Sequence, residues 1–375
     1  HQISASDSFF GRFTGSDSNV DQVLALPVFG VFRAVNSRLF TMSETHTFSP
    51  KLLNTARFHF NRVYPLANGS YPDVPREMIS VPGEVTASVG FGWSGHPQPI
   101  ERWVTNRFSV QDDVNYSTGT HTIQFGGMFE RMRFNMSNPN RTYGEWAFAS
   151  VETFLQGTPR QYRGTPNQYG NPDRHWRQNF LSFFVQDDWK VSDNLTLNLG
   201  VRWEPHSVPS EIDDKIVNLR NFSDPDTTVG GPYWKNQSLL TFGPRVGFAW
   251  SPFASNKTAV RGGFGLFYVP ADQLYYYFPT TRTYPLYTEF QITNPSPAIF
   301  PDALATIAAS NTPRGSITVI PYQNFKNSRA AQWNLNVQQQ FGASTVLTLG
   351  YVGNRGINLV TYADLNVPIA TYLSL

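Results

Sequence analysis

The sequence predicts an all-β chain: an antiparallel up-and-down sheet forming a portion of a larger transmembrane β-barrel. Three observations predict it. Apolar and polar residues alternate strictly over many stretches. Short turns alternate with long connections. The polar side of the alternation carries Asn, Gln, Thr, Gly and Arg, with almost no Lys.

The alternation comes first. Successive strand side chains point to opposite faces, so strict alternation gives one apolar and one polar face. In residues 195–204, Leu195, Leu197, Leu199, Val201 and Trp203 alternate with Thr196, Asn198, Gly200 and Arg202. The pattern recurs at 57–61, 121–130, 260–268, 333–338 and 347–351. A soluble sheet normally guards its wet face and edges with Lys and other charges. Here only six of the 29 basic residues are Lys. Charged residues make up 15% of the chain, against about 25% in ordinary soluble domains. A face of amides and glycines suits a confined wet lumen, and the apolar face then meets lipid. No apolar run approaches the roughly 18 residues of a membrane helix. The stretch 23–32 is short and contains Pro27.

The connections come next. Turns fall at 49–51, 117–119, 192–194, 254–256 and 342–344, each flanked by strand-like runs. Long segments rich in Pro, Gly, Asn and aromatics occupy about 64–100, 131–178, 205–241 and 270–329. Short turns on one side and long loops on the other are the pattern of a membrane meander. Five hairpins give ten strands, and 28–35 and 356–362 add one or two more. Ser109-Val110-Gln111-Asp112-Asp113 is echoed by Phe184-Val185-Gln186-Asp187-Asp188, each followed by a turn and a strand. The unequal spacing marks a reused hairpin rather than a solenoid. Residues 1–375 thus read as one β-barrel portion.

Chemistry is sparse. The net charge of +2 and scattered arginines give no phosphate-tracking stripe, so no nucleic-acid partner is expected. Without cysteine there is no disulfide or thiolate metal site. Asp112-Asp113 and Asp187-Asp188 are strand neighbours facing opposite ways, so neither is a catalytic pair. One member of each lines the lumen or meets Arg, and the other sits at the membrane rim. Ser192-Asp193-Asn194 matches one β-lactamase element, yet no Ser lies three residues before any Lys, so the nucleophile motif is missing. The seven histidines show no ligand spacing. Gly262-Gly263-Phe264-Gly265 lies within a strand, where glycine eases curvature or makes room in the lumen. No catalytic residue, metal or cofactor is expected.

The candidate ligand-binding residues are Tyr275, Tyr276, Tyr277, Arg282 and Tyr284. Clustered rings offer rigid contact area at low entropic cost. The competing reading of the same rings is an aromatic girdle at the membrane interface. Trp189, Trp203, Trp250 and Trp333 read more firmly as girdle residues.

Phe183-Phe184-Val185-Gln186-Asp187-Asp188-Trp189, followed by 195–204, resembles the mid-barrel signature of TonB-dependent outer-membrane receptors, and more closely their Oar-like branch. Four further stretches resemble that branch: 46–62, Gly243-Pro244-Arg245-Val246-Gly247-Phe248-Ala249-Trp250, 261–268 and Tyr351-Val352-Gly353-Asn354-Arg355-Gly356. The resemblance covers roughly residues 40–365. It implies the outer membrane of a Gram-negative cell, a wall in contact with outer-membrane lipid, and a plug domain. It also implies capture of a small molecule, glycan or peptide by external loops, then passage energised by the TonB system. Residues 1–375 show no plug, TonB box or signal peptide, so an interior barrel portion of a longer receptor is expected. The alternative is a soluble secreted β-protein that binds polysaccharide through loop aromatics.

Overall fold

The computed structural model describes residues 1–23, 30–70, 78–81, 89–90, 101–139, 145–165, 170–271, 281–299, 303, 317–361 and 363. A strand with one apolar face must pair laterally to satisfy its backbone, and the long alternating stretches do so. The first strands are β1 (Asp7–Val23), β2 (Gly30–Ser49) and β3 (Leu52–Ser70), followed by short β4 (Met78–Val81) and β5 (Val89–Gly90). Next come β6 (Glu101–Thr118), β7 (His121–Ser137), β8 (Glu145–Ala147), helix α1 (Val151–Leu155) and β9 (Gln161–Gly164). Then follow β10 (Asp173–Ser192), β11 (Leu195–Trp203), β12 (Ser210–Glu211), β13 (Val217–Asn218) and β14 (Thr228–Val229). The last are β15 (Phe242–Trp250), β16 (Thr258–Val269), β17 (Phe290–Thr293), β18 (Ser328–Phe341) and β19 (Thr345–Ile357).

The wall is a twelve-stranded sheet in the order β1-β2-β3-β6-β7-β10-β11-β15-β16-β18-β19, with β12 added beside β10. Its neighbours are antiparallel throughout, as the alternation predicts, and β1 and β19 are its edges. The five predicted turns connect β2–β3, β6–β7, β10–β11, β15–β16 and β18–β19, all at one end of the sheet. Two details differ from the sequence reading. The additional strand is β1; residues 30–35 belong to β2 and residues 356–357 to the end of β19. In β1, Gly11 and Gly15 interrupt the apolar positions and weaken the period. The ladder also continues through 64–70, 131–137 and 173–178, which read as loop.

Directly opposed residues of an antiparallel pair share a face. The exterior of β11 carries Leu195, Leu197, Leu199, Val201 and Trp203, opposed by Trp250, Phe248, Val246, Pro244 and Phe242 of β15. The band continues through Val260 and Phe264, Val337 and Leu335, then Leu349 and Tyr351. These side chains are exposed: Val246 by 51%, Phe183 by 46%, Leu349 by 64%. An apolar surface this continuous marks a face made for lipid. A soluble sandwich would bury it under a second layer. The opposite face carries Thr196, Asn198, Gly247, Gly263, Asn334, Asn336 and Gln338.

The two faces exchange character along β7 and β10. Outside β7, Phe125 and Phe129 give way to Arg131, Arg133 and Asn135; inside, Gln124 and Gly126 give way to buried Met132, Phe134 and Met136. Outside β10, Phe183 and Leu181 give way to Asn179, Arg177 and His175, while Trp176 is buried inside. The exchange is in register, Phe129 opposing Leu181 and Arg131 opposing Asn179. Near the turns the wall is apolar outside and wet inside. Beyond that it is polar outside and packed inside.

What packs there is the long connections. Met132, Phe134, Met136 and Trp176 form a core with Ile216, Tyr233, Trp234, Ala271, Ile320 and Phe325. The β3–β6, β7–β10 and β16–β18 connections weave a five-stranded sheet, β17-β9-β8-β4-β5, with Trp146, Phe148, Tyr162, Phe290 and Ala303 as a second core. Helix α1 follows a capping box in which Ser150 and Thr153 bond each other's backbone N–H. Leu199→Arg on the lipid face is expected to cost about 2–4 kcal/mol in lipid vesicles, and Asn198→Arg on the inner face under about 1 kcal/mol. Urea unfolding followed by tryptophan fluorescence reads the difference, and equal costs would overturn the assignment of faces.

Candidate functional site

The site is the inner face and its outer mouth. Near the turns, Gln186, Asn198, Gly200, Arg245, Gly247, Gly263, Gly265, Gln332, Asn334 and Asn354 line a concavity of about 480 Å³. Neutral amides offer donors and acceptors without a fixed charge. Glycine keeps the surface low, and at Gly126 it is required. A Cβ there would collide with the Asp112 carbonyl, the Asp113 carboxylate and the Phe184 ring. Arg245 stands 4.9 Å over the Phe267 ring.

Charge on the wall is locally paired. Asp113 faces inward and pairs with Arg57, while Asp112 faces outward and accepts from Asn54. Asp188 faces inward and accepts from Asn198 at 2.6 Å. Asp187 faces outward and bonds His121 at 2.7 Å. That ring stacks on Trp189 at 5.4 Å. The two Asp pairs are therefore split between faces, as strand geometry dictates. Glu130 and Arg107 form a further inward pair at 2.9 Å. Trp203 stacks between Phe183 and Phe242 at a strand end. Trp333 instead lies mid-strand on the exterior of β18, its ring over Gly353.

The mouth is held by buried polar groups. Asn218 donates to the carbonyls of Tyr233 at 2.7 Å and Ile320 at 2.9 Å, and accepts from the Ile320 N–H at 3.1 Å. One amide thus joins the 203–242 and 269–328 connections. Gln178 of β10 donates to Ser207 and Ala271 carbonyls at 3.1 and 3.0 Å. Arg174 is wholly buried, donates to Asn171 and Asp173 carbonyls, and burial pulls its pKa down to about 10. His206 is buried, its backbone held by Ser238 and Asn236. Burial lowers its pKa from the usual histidine value, against bonds from Glu204 and Asn327.

Of the predicted ligand residues, Tyr275, Tyr276 and Tyr277 lie outside the described residues. Arg282 donates to Asn138, just past β7, at 2.9 Å. Burial raises the Glu101 pKa, and the charges of Arg282 and Arg33 oppose that rise. Tyr284 is 43% exposed, and its carbonyl accepts from Thr227 at 3.0 Å. Arg282 and Tyr284 therefore fasten to different connections. Asn218, Gln178, Arg174 and Glu101 escaped the sequence reading because a single polar residue at the outer end of a strand, or within a long connection, carries no periodic signal. Among the described residues, two clusters have metal-compatible groups, Asp7/Glu44/His46 and His175/Glu211/Asp213. In the second, Glu211 already accepts the N–H groups of His175, Asp213 and Lys215. In the first, Asp7 accepts from Ser4 and bonds His46.

A lipid-facing wall, an amide-lined interior and loops gathered at one end define an outer-membrane β-barrel. The sequence matches the family described as outer membrane beta barrel domain over residues 1–374. The chain belongs to that family, and its location is the outer membrane. Its fold is similar to that of the outer membrane transporter YddB from Escherichia coli. The identity is 12% and the TM-score 0.56, covering 93% of this chain and 38% of that one. The ferric-catecholate import receptor Fiu from Escherichia coli K12, closed form, is similar at 11% identity and TM-score 0.45, covering 86% of this chain and 41% of that one. The siderophore receptor PirA from Acinetobacter baumannii is similar at 10% and 0.45, covering 93% and 43%. The chain thus spans about two fifths of the length of these three solved proteins. No curated protein matches its sequence.

Asn218→Ala strands buried donors and acceptors, at an expected cost of about 1–3 kcal/mol. Faster protease cleavage within 205–241, with the wall intact, would show it. His206 gives a pH dependence. Its unfolded form takes a proton first as pH falls, so its contribution is complete above 6.5 and is lost progressively below that value. Cleavage of the same connection should speed up between pH 7.5 and about 5, and His206→Gln should flatten the response.

Proposed function

We propose that the chain is the barrel portion of an Oar-like TonB-dependent receptor. External loops capture a small molecule, glycan or peptide, which then passes the outer membrane along the amide-lined interior. The observation that carries this reading is the exchange of faces along β7 and β10. It gives a wet interior at lipid depth and a packed collar of long loops above it. The five sequence stretches resembling the Oar-like branch support the same reading. The likeness of fold to YddB supports it at the level of architecture. The plug and its coupling to the TonB system belong to the longer receptor of which this wall is part. Tyr275, Tyr276, Tyr277, Arg282 and Tyr284 are the proposed capture residues, acting through rings and one cation. No step of bond making is part of this role.

The test uses the full receptor in outer-membrane vesicles, screened against labelled oligosaccharides, oligopeptides and ferric chelates. One class should be retained. Tyr276→Ala with Arg282→Ala should reduce retention on the order of tenfold, as loss of anchoring contacts does. In whole cells, removing TonB should abolish accumulation while leaving retention unchanged. Accumulation that persists without TonB would overturn the transporter reading.

A further inference from the structure

The outside of the wall carries a second ordered feature. Register sets its residues in lateral rows across β2, β3, β6, β7 and β10. One row is Phe40, Phe60, Phe108 and Arg131, ending at Asn179. The next row away from the turns is Arg38, Arg62, Asn106, Arg133 and Arg177. Opposed residues in such rows have Cβ atoms about 5 Å apart. Arginines therefore stand side by side along the upper border of a phenylalanine row.

Their height is set by the strands. Arg62 is ten residues from the start of β3, Arg131 ten from the start of β7, and Arg133 twelve. A tilted strand crosses the hydrocarbon in about 9–11 residues. The guanidinium groups therefore sit at the outer border of the apolar band, with the headgroups of the outer leaflet.

Their partners are neutral. Arg62 donates to Asn106 at 3.0 Å and Arg131 to Asn179 at 2.8 Å, while Arg133 lies 5.5 Å over Phe108. Among the described residues, no carboxylate forms an ion pair with Arg62, Arg131 or Arg133. Among the described residues, carboxylates flank the row at its ends. Asp17 neutralises Arg38 through two bonds, and Glu211 and Asp213 lie near Arg177. Burial, then the like charges of Arg133 and Arg131, hold Arg177 below the ordinary arginine range. The middle of the two rows is an uncompensated cationic cluster: Arg131 and Arg133 stand two residues apart on β7, and Arg62 stands two strands away across Asn106. Guanidinium forks match the geometry of phosphate oxygens.

Directly on the turn side of these rows lies an apolar hollow of about 570 Å³, with Phe58, Val110, Phe129, Leu181 and Phe183 on its walls. It exists because Ala56 and Gly127 oppose Asp112 where neighbouring rows carry larger side chains. Asp112, held by Asn54, and Glu44 close its turn-side end. A cationic cluster above an apolar hollow, both on the lipid-facing surface, has the polarity of an anionic lipid.

We propose that this face seats one phosphorylated lipid of the outer leaflet, its acyl chains in the hollow at Ala56 and Gly127 and its phosphates on Arg62, Arg131 and Arg133. The seat rests on the outer-membrane placement of the wall and is independent of what passes through the interior. It fixes the barrel's depth and orientation in the outer leaflet.

The experiment uses the full receptor in detergent, with native mass spectrometry reading bound lipid. The probes are bisphosphorylated lipid A, the same lipid with both phosphates removed, and inorganic phosphate. The phosphorylated lipid should bind on the order of tenfold tighter than its dephosphorylated form. Inorganic phosphate at equal concentration should not displace it. The R62Q/R131Q/R133Q variant should lose that preference. Ala56→Trp, which changes no charge and points to lipid, should weaken both lipids together. Retained heat-modifiability on gels verifies folding of each variant. Equal binding of both lipids, unchanged preference in the triple variant, or displacement by free phosphate would each overturn the proposal.

Discussion

Everything in this chain depends on pairing backbone N–H and C=O groups where no water can reach them. Within hydrocarbon each unpaired group costs several kcal/mol, so a wall of non-helical chain must be a continuous ladder. The long antiparallel registers satisfy that demand strand by strand. Once the ladder is fixed, side chains have only two destinations, and the composition follows. Leu, Val, Phe and Trp go outward, and Asn, Gln, Thr and Gly go inward.

The exchange of faces on β7 and β10 joins two solvents in one strand. Near the turns, lipid outside and water inside set the order. Above, water outside and folded connections inside reverse it. The same backbone carries both halves because alternation has no preferred sign; only the surroundings choose which side is apolar. The packed collar then makes the mouth a folded structure rather than a fringe of loops. Its polar pins, Asn218 and Gln178, tie connections distant in sequence to one another and to the wall. The exterior arginines belong to the same logic, because they begin where the lipid-facing band stops.

Parts of this were legible from residues alone. Strict alternation at 195–204 and 333–338 specified strands, faces and the amide-lined interior. Turn residues such as Ser192-Asp193-Asn194 marked the five hairpins, because those residue types favour turns through their own backbone bonds. The opposed directions of Asp112 and Asp113 followed from a period of two. The upper strand segments were not legible. At 131–137 the pattern continues as Arg-Met-Arg-Phe-Asn-Met-Ser, but with its apolar members on the other parity. Read for one lipid face, that stretch breaks the pattern and looks like loop.

The sequence by itself determined an all-β wall with one apolar and one amide face, and turns at one end. It could do so because a two-residue period is local and needs no knowledge of what lies across the sheet. Only the tertiary structure decided where each strand leaves the membrane, which connections fill the mouth, and which arginines become neighbours. Those are questions of register between segments tens to a hundred residues apart. No local pattern encodes that Arg62, Arg131 and Arg133 share one patch, or that Asn218 meets Ile320.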